Sequence, residues 1–180
     1  MKLDPKYFNT FLAICFVIAA GLIVFFTLSN RSSEHKAFQE RMFEQDSLRI
    51  VTWNKVQTDD SLRISDFKGK FVVVDFWGNW SKASLRSHRQ LAKVKQQYSD
   101  SIAVIAAAVG LQKDEAINYI QENQFPFNFV AGSKQFSEFQ IPGLPAQLVY
   151  NPKGQLESIF MGYSDKGQYD SLKTIISDGR

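Results

Sequence analysis

Thiol chemistry has almost no material to work with in this chain. A single cysteine, Cys15, stands among 180 residues, so neither an intramolecular disulfide nor a cysteine metal cluster can form. Histidine is nearly as scarce: His35 and His88 are the only two, which leaves zinc or haem short of ligands. No metal and no cofactor is expected. An excess of one charge sign is missing as well. Lys and Arg number 21 against 18 Asp and Glu, interspersed, for a net charge of +3. A dedicated nucleic-acid surface needs a basic stripe, and none is present, so no nucleic-acid partner is expected. Internal repeats and low-complexity tracts are also absent, which leaves an ordinary globular composition with 44% hydrophobic residues and 16 Phe.

One long apolar run is present, and it is N-terminal. Residues 11–28 read FLAICFVIAAGLIVFFTL without a charge. Eighteen residues of helix reach about 27 Å, close to the ~30 Å hydrocarbon thickness of a bilayer. Adding Tyr7 and Phe8 completes the span, so residues 8–28 are expected to cross the membrane once. A cleaved signal peptide competes with this reading, but its apolar region usually covers only ~7–15 residues. Leu12-Ala13-Ile14-Cys15 makes a poor lipoprotein signal, because most of the apolar run follows the cysteine. Lys2 and Lys6 on one side and Arg31, Lys36 and Arg41 on the other leave orientation undecided by charge.

Three segments follow from this reading: a cytoplasmic tip and anchor at 1–29, a polar and partly helical stem at 30–47, and one domain at 48–180. In the stem, Phe38 and Met42 share a face at i,i+4 spacing, with Glu40 and Glu44 on another. A helix packed on its own domain is expected there.

Beyond the stem, elements alternate. Residues 71–77 (FVVVDFW) and 102–109 (IAVIAAAV) read as strands buried on both faces. Between them, residues 84–98 carry helical spacing at Leu85, Leu91, Val94 and Tyr98. Asp114 is expected to cap a helix ending near Asn123, followed by a short strand at 128–130 and a brief helix around Phe136. Residues 146–150 and 156–161 form a hairpin about Asn151-Pro152-Lys153-Gly154, and a last helix covers 168–176. Upstream, 51–56 and 62–64 read as a small hairpin. The expected fold class is α/β, a mixed sheet with helices on both faces.

At the end of the first central strand stands Asp75-Phe76-Trp77-Gly78-Asn79-Trp80-Ser81-Lys82-Ala83-Ser84. It resembles the thioredoxin active-site segment, in which Trp-Cys-x-x-Cys follows Asp-Phe-Trp, and Ser81 and Ser84 fall on the cysteine positions. Ile141-Pro142-Gly143-Leu144-Pro145-Ala146 resembles the loop that carries that family's cis-proline, at Pro145. With the extra helix and strand at 113–130, Ser65-Asp66-Phe67-Lys68-Gly69-Lys70, the Asn151–Gly154 turn and Gly162, residues 48–178 look like the TlpA/ResA-type branch. That branch comprises bacterial membrane-tethered proteins that usually face the extracytoplasmic side.

The resemblance implies a thioredoxin fold, a cell-membrane location with the domain on the periplasmic side, and Asp75 as the equivalent of the family's buried acid. It also implies thiol-disulfide oxidoreductase activity, which the two serines do not support. The expectation is therefore a redox-inactive module with no catalytic residue, holding a protein or peptide in a groove at Trp80, Leu144 and Pro145. Trp80 is expected beside Leu144 and Pro145. Ser81 lacks a base for hydrolytic work, since His88 lies seven residues on, roughly 10 Å along the same helix. Ser81 as a helix N-cap is the expectation instead.

Overall fold

In the computed structural model, residues 5–164 and 167–179 are described. The first element, α1 (Pro5–Glu44), is a single helix of 40 residues. The expected boundary between anchor and stem at residue 29 is not a structural one. Neither Pro nor Gly falls between Leu28 and Glu44, and nothing there stops the helix. Among the described residues, the stretch from Tyr7 is the one helix long and apolar enough to cross a membrane, with mean hydropathy 2.8 over its best window. Within the apolar stretch, Thr27 Oγ1 donates to the Ile23 carbonyl at 2.7 Å. The polar half of α1 docks on the domain: Phe38 and Met42 are buried, and Gln39 Nε2 donates to the Ile159 carbonyl at 3.2 Å.

After a 3-10 turn at Ser47–Ile50 come two very short strands, β1 (Trp53–Asn54) and β2 (Ser61–Leu62), paired antiparallel. The expected hairpin is present but far shorter than 51–56 and 62–64. Ile64 instead opens a 3-10 turn, Ile64–Phe67, in which the Asp66 carboxylate accepts from the Arg63 N–H at 2.8 Å.

The main sheet holds β3 (Phe71–Trp77), β4 (Ile102–Ala108), β5 (Asn128–Ala131), β6 (Ala146–Tyr150) and β7 (Leu156–Met161), in the order β5-β4-β3-β6-β7. The first three strands run parallel, and β6 and β7 complete the sheet antiparallel. Four helices follow: α2 (Lys82–Tyr98), α3 (Lys113–Asn123), α4 (Ser133–Glu138) and α5 (Gly167–Asp178). Asp114 does not cap α3. Gln112 is the N-cap, and its backbone N–H is held by Glu115 Oε2 at 2.8 Å. A capping box needs its acid at the third helical position, and Asp114 is one residue too early.

Strand periodicity divides the core. Val72, Val74 and Phe76 of β3 face one layer, with Phe38, Met42, Trp53 and Tyr150. Phe71 and Val73 face the other, against Leu91, Val94, Leu172 and Ile176 of α2 and α5. Asp75 and Trp77 share this second face, because side chains two apart on a strand project together. A carboxylate is thereby turned into the interior beneath α2.

Candidate functional site

The helix α2 begins where β3 runs out of sheet. Ser81 is its N-cap, with φ −90° and ψ 104°, and its hydroxyl oxygen accepts from the Ser84 N–H at 3.2 Å. That bond satisfies one of the orphan amides of the first turn. Ser84 is fully buried, and the Gly78 N–H approaches its Oγ at 3.5 Å. Both hydroxyls are thus engaged in local structure. The N-terminal end of α2 has no acidic residue in its first turn.

Trp80 is 60% exposed. A Cβ built on Gly78 or Gly110 would come within 2.8 or 2.9 Å of its ring, so the indole packs against both glycines. Gly110 also has φ +64°, a conformation glycine adopts without penalty. Trp80 is thus packed against Gly78 and Gly110. The Leu144–Pro145 peptide is cis. Pro145 is buried, its carbonyl accepts from the Gly162 N–H at 2.8 Å, and Leu144 is half-buried. Among the described residues, the Leu144 backbone makes no hydrogen bond.

Below this surface lies an arrangement that the sequence reading missed. His88 is not a bystander two turns along α2. It is fully buried, and its Nε2 lies 3.0 Å from Asp75 Oδ2, an ion-pair distance when the imidazole is protonated. The angles fall outside hydrogen-bond geometry, so both Asp75 oxygens lack a hydrogen-bond donor. On its other side, His88 Nδ1 sits 2.7 Å from the Tyr119 hydroxyl of α3. Trp77, Phe125, Phe127 and Phe129 close around the imidazole with ring centroids 4.8 to 6.1 Å away. Burial first, and then the Asp75 charge, push the Tyr119 phenol above its ordinary value of 10. A signal for His88 was present in the sequence. It falls between Leu85 and Leu91 at three-residue intervals, on the apolar face of α2, opposite the single acid of a buried strand.

Of the other polar groups in this layer, the Trp77 indole N–H has no hydrogen-bond partner, whereas Gln147 is satisfied. Gln147, the β6 neighbour of Asp75, donates to Ser87 Oγ and accepts from Gln168 Nε2 at 2.6 Å. Among the described residues, no group of three or more His, Cys, Asp or Glu is placed to hold a metal ion. Cys15, the only thiol, is exposed on α1 and far along the chain from Ser81.

With this geometry in hand, the comparisons with known proteins are direct. A thioredoxin-like family model matches residues 69–156, from the turn before β3 to the first residue of β7. Residues 69–156 are a thioredoxin-like domain. The thiol-disulfide oxidoreductase ResA of Bacillus subtilis (strain 168) is 22% identical over 121 residues, covering 66% of this chain and 68% of that protein. A secreted disulfide oxidoreductase of Mycobacterium tuberculosis, homologous to DsbE of E. coli, superposes with a TM-score of 0.62 at 14% identity, covering 74% of this chain and 99% of its own. The exposed lipoprotein thioredoxin of Streptococcus pneumoniae superposes at 0.58 and 18% identity, covering 71% and 98%. The thioredoxin-like domain accordingly has ResA-type relatives and DsbE-like structural neighbours, on a mixed sheet flanked by helices.

Proposed function

We propose that this chain is a single-pass, membrane-anchored thioredoxin-like module with its domain on the extracytoplasmic side, which holds an extended protein or peptide segment and carries out no thiol–disulfide exchange. The observation that carries this reading is oxygen in place of sulfur at Ser81 and Ser84, the start of α2. Exchange requires a thiolate that attacks a disulfide sulfur and a second thiol that resolves the mixed disulfide. A helix N-terminus lowers a thiol pKa from about 8.5 towards 7 or below. A hydroxyl is a far weaker acid, and its oxygen forms no exchangeable bond to sulfur. The reaction is removed rather than slowed.

Binding is supported by the exposed face of Trp80 and by the unpaired Leu144 backbone beside cis Pro145. An extended peptide can bond to free main-chain groups as an added strand does, with the aromatic surface supplying apolar contact. Location is supported by α1 and by the secreted and lipoprotein character of structural neighbours.

The second reading, a thiol-disulfide oxidoreductase, is favoured by the activity named for the ResA relatives. One assay separates the two. The full chain in detergent micelles is tested for insulin-disulfide reduction beside its Ser81→Cys/Ser84→Cys variant. The natural chain is expected to be inert and the variant to turn over. Turnover by the natural chain rejects the non-catalytic reading. Binding is tested with a photoreactive group at Leu144 and an unfolded, cysteine-free polypeptide as probe, where absence of crosslinks removes the groove from the proposal.

A further inference from the structure

The continuity of α1 fixes which end of the domain meets the membrane. Its C-terminal end lies at the start of β3. Asp46, just past the helix, accepts from the hydroxyl of Tyr150, the last residue of β6, and the turn at Ser47–Ile50 packs on Ile64–Phe67. Seven residues earlier, Gln39 reaches Ile159, which is in register with Leu148 and Val74 in mid-sheet. Moving along α1 towards its apolar half therefore means moving towards Trp77, Gly78 and cis Pro145.

The distances are short. From Gln39 to Leu28, where the apolar run ends, the helix climbs about 16 Å at 1.5 Å per residue. From Val74 to Trp77 the strand climbs about 10 Å, at ~3.3 Å per residue. Because α1 crosses from β6 at Asp46 to β7 at Gln39, its climb along the strands is less than about 16 Å, and the end of the sheet comes within about 6 Å of the hydrocarbon edge, the thickness of one headgroup layer.

A second, independent feature sits at that end. Among the described residues outside the apolar half of α1, the exposed large hydrophobic ones are Phe43, Ile50 and Trp80. Phe43 and Ile50 are at the far end. Trp80 is at the near end, packed against Gly78 and Gly110 yet 60% exposed, with exposed Lys82 two residues on. An amphipathic indole beside a long cationic side chain suits the membrane–water interface.

We propose that the end of the domain bearing Trp80 and cis Pro145 rests on the lipid headgroups of the bilayer that α1 crosses, with Trp80 as its interfacial anchor. This deepens the function proposed above and rests on α1 being the anchor. The partner of this face is a lipid surface, and a polypeptide reaches Leu144 by travelling along it.

The test uses the full chain reconstituted in phosphatidylcholine vesicles carrying nitroxide at the headgroup, or at shallow or deep acyl positions. Trp53 and Trp77 are fully buried, so the emission difference between the natural chain and Trp80→Phe isolates Trp80. The headgroup and shallow nitroxides are expected to remove most of that difference signal, and the deep one little of it. In a Cys15→Ala background, fluorophores on Gly143→Cys and Lys153→Cys are compared by energy transfer to a headgroup acceptor. The two sites lie beyond opposite ends of β6, itself about 13 Å long, and position 143 is expected to transfer more strongly. Unquenched Trp80, or transfer from position 153 equal to or above that from 143, overturns the inference. A fluorophore on the native Cys15 reports whether α1 is inserted. Deep quenching there with an unquenched Trp80 rejects the interfacial contact while the anchor stands; no quenching there rejects the anchor itself. Neither readout depends on peptide binding.

Discussion

Replacing His88 by Leu is the sharpest perturbation of the interior. The substitution keeps α2 helical and roughly keeps volume, but it withdraws the imidazole that lies 3.0 Å from Asp75. The carboxylate is fully buried and no donor reaches either oxygen. Gln147, its β6 neighbour, is already bonded to Ser87 and Gln168, and every ring around the site is aromatic. With the imidazole protonated the two form a buried ion pair, and breaking it from one side costs about 3–5 kcal/mol. Tyr119 also loses its 2.7 Å partner, and stranding a buried hydroxyl adds about 1–3 kcal/mol. Set against a total stability of about 5–15 kcal/mol for a domain, most of the margin goes.

The control removes every polar member at once. Asp75→Val continues the run of valines in β3, and His88→Leu with Tyr119→Phe leaves an apolar layer among Trp77, Phe125, Phe127 and Phe129. Apolar replacement of a buried ionic group is often neutral or stabilising by about 1–4 kcal/mol, so the triple variant is expected to match or exceed the natural chain. Urea denaturation of the full chain in micelles, followed by the emission of buried Trp77, reads both effects as shifts in midpoint at constant slope. A single variant within about 1 kcal/mol of the natural chain, or a triple variant no better than the single one, refutes the reasoning that His88 offsets the Asp75 charge.

Three further outcomes follow from the same structure. Burial raises the Asp46 pKa above 3.8 against the opposing Tyr150 hydrogen bond, so its stabilising contribution is complete below pH 3.8 and is lost as pH rises through the raised value; Asp46→Asn, which still accepts from Tyr150, is expected to remove that loss in denaturation series across the acid range. Tyr119, raised by burial and then by Asp75, contributes stability fully below pH 10 that drains above it, and Tyr119→Phe is expected to flatten alkaline unfolding followed by circular dichroism. Gly132→Ala would place a Cβ 2.7 Å from Ala107 Cβ and 2.9 Å from its carbonyl carbon, between β4 and α4, and is expected to lower the midpoint by about 1–3 kcal/mol equivalent, whereas Gly143→Ala meets nothing within 4 Å and should leave it unchanged.

What could be read in the sequence was what depends on near neighbours. The runs at 71–77 and 102–109, the turn at Asn151–Gly154 and the Ser81 cap are each decided within a few residues, and each appears where local chemistry puts it. The end of the apolar segment is not marked in the backbone, because no breaker follows Leu28 and composition changes without the helix changing. The small hairpin shrank to two-residue strands for a different reason. Asp66 binds the Arg63 amide, and that local bond draws Ile64–Phe67 into a 3-10 turn instead of a strand.

The buried pair shows where such reading stops, and why. Asp75, His88 and Tyr119 belong to β3, α2 and α3, and they meet because the β3-α2-β4 crossover lays α2 over β3 while α3 packs beside it on the same face. Helical periodicity puts His88 on the apolar side of α2, and strand periodicity puts Asp75 with Trp77. Neither period alone says that the two faces oppose one another. Taken together with the parallel topology they do, because the residue seven positions into a helix returning over its own strand lies above that strand's interior. A lone acid inside one element and a lone histidine inside the next are therefore a pairing signal once the connection is known to be β-α-β. This rule places the Asp75–His88 contact independently of the serines at the helix tip. The interior pair can thus persist as a structural element whether or not a thiol ever stood at residue 81.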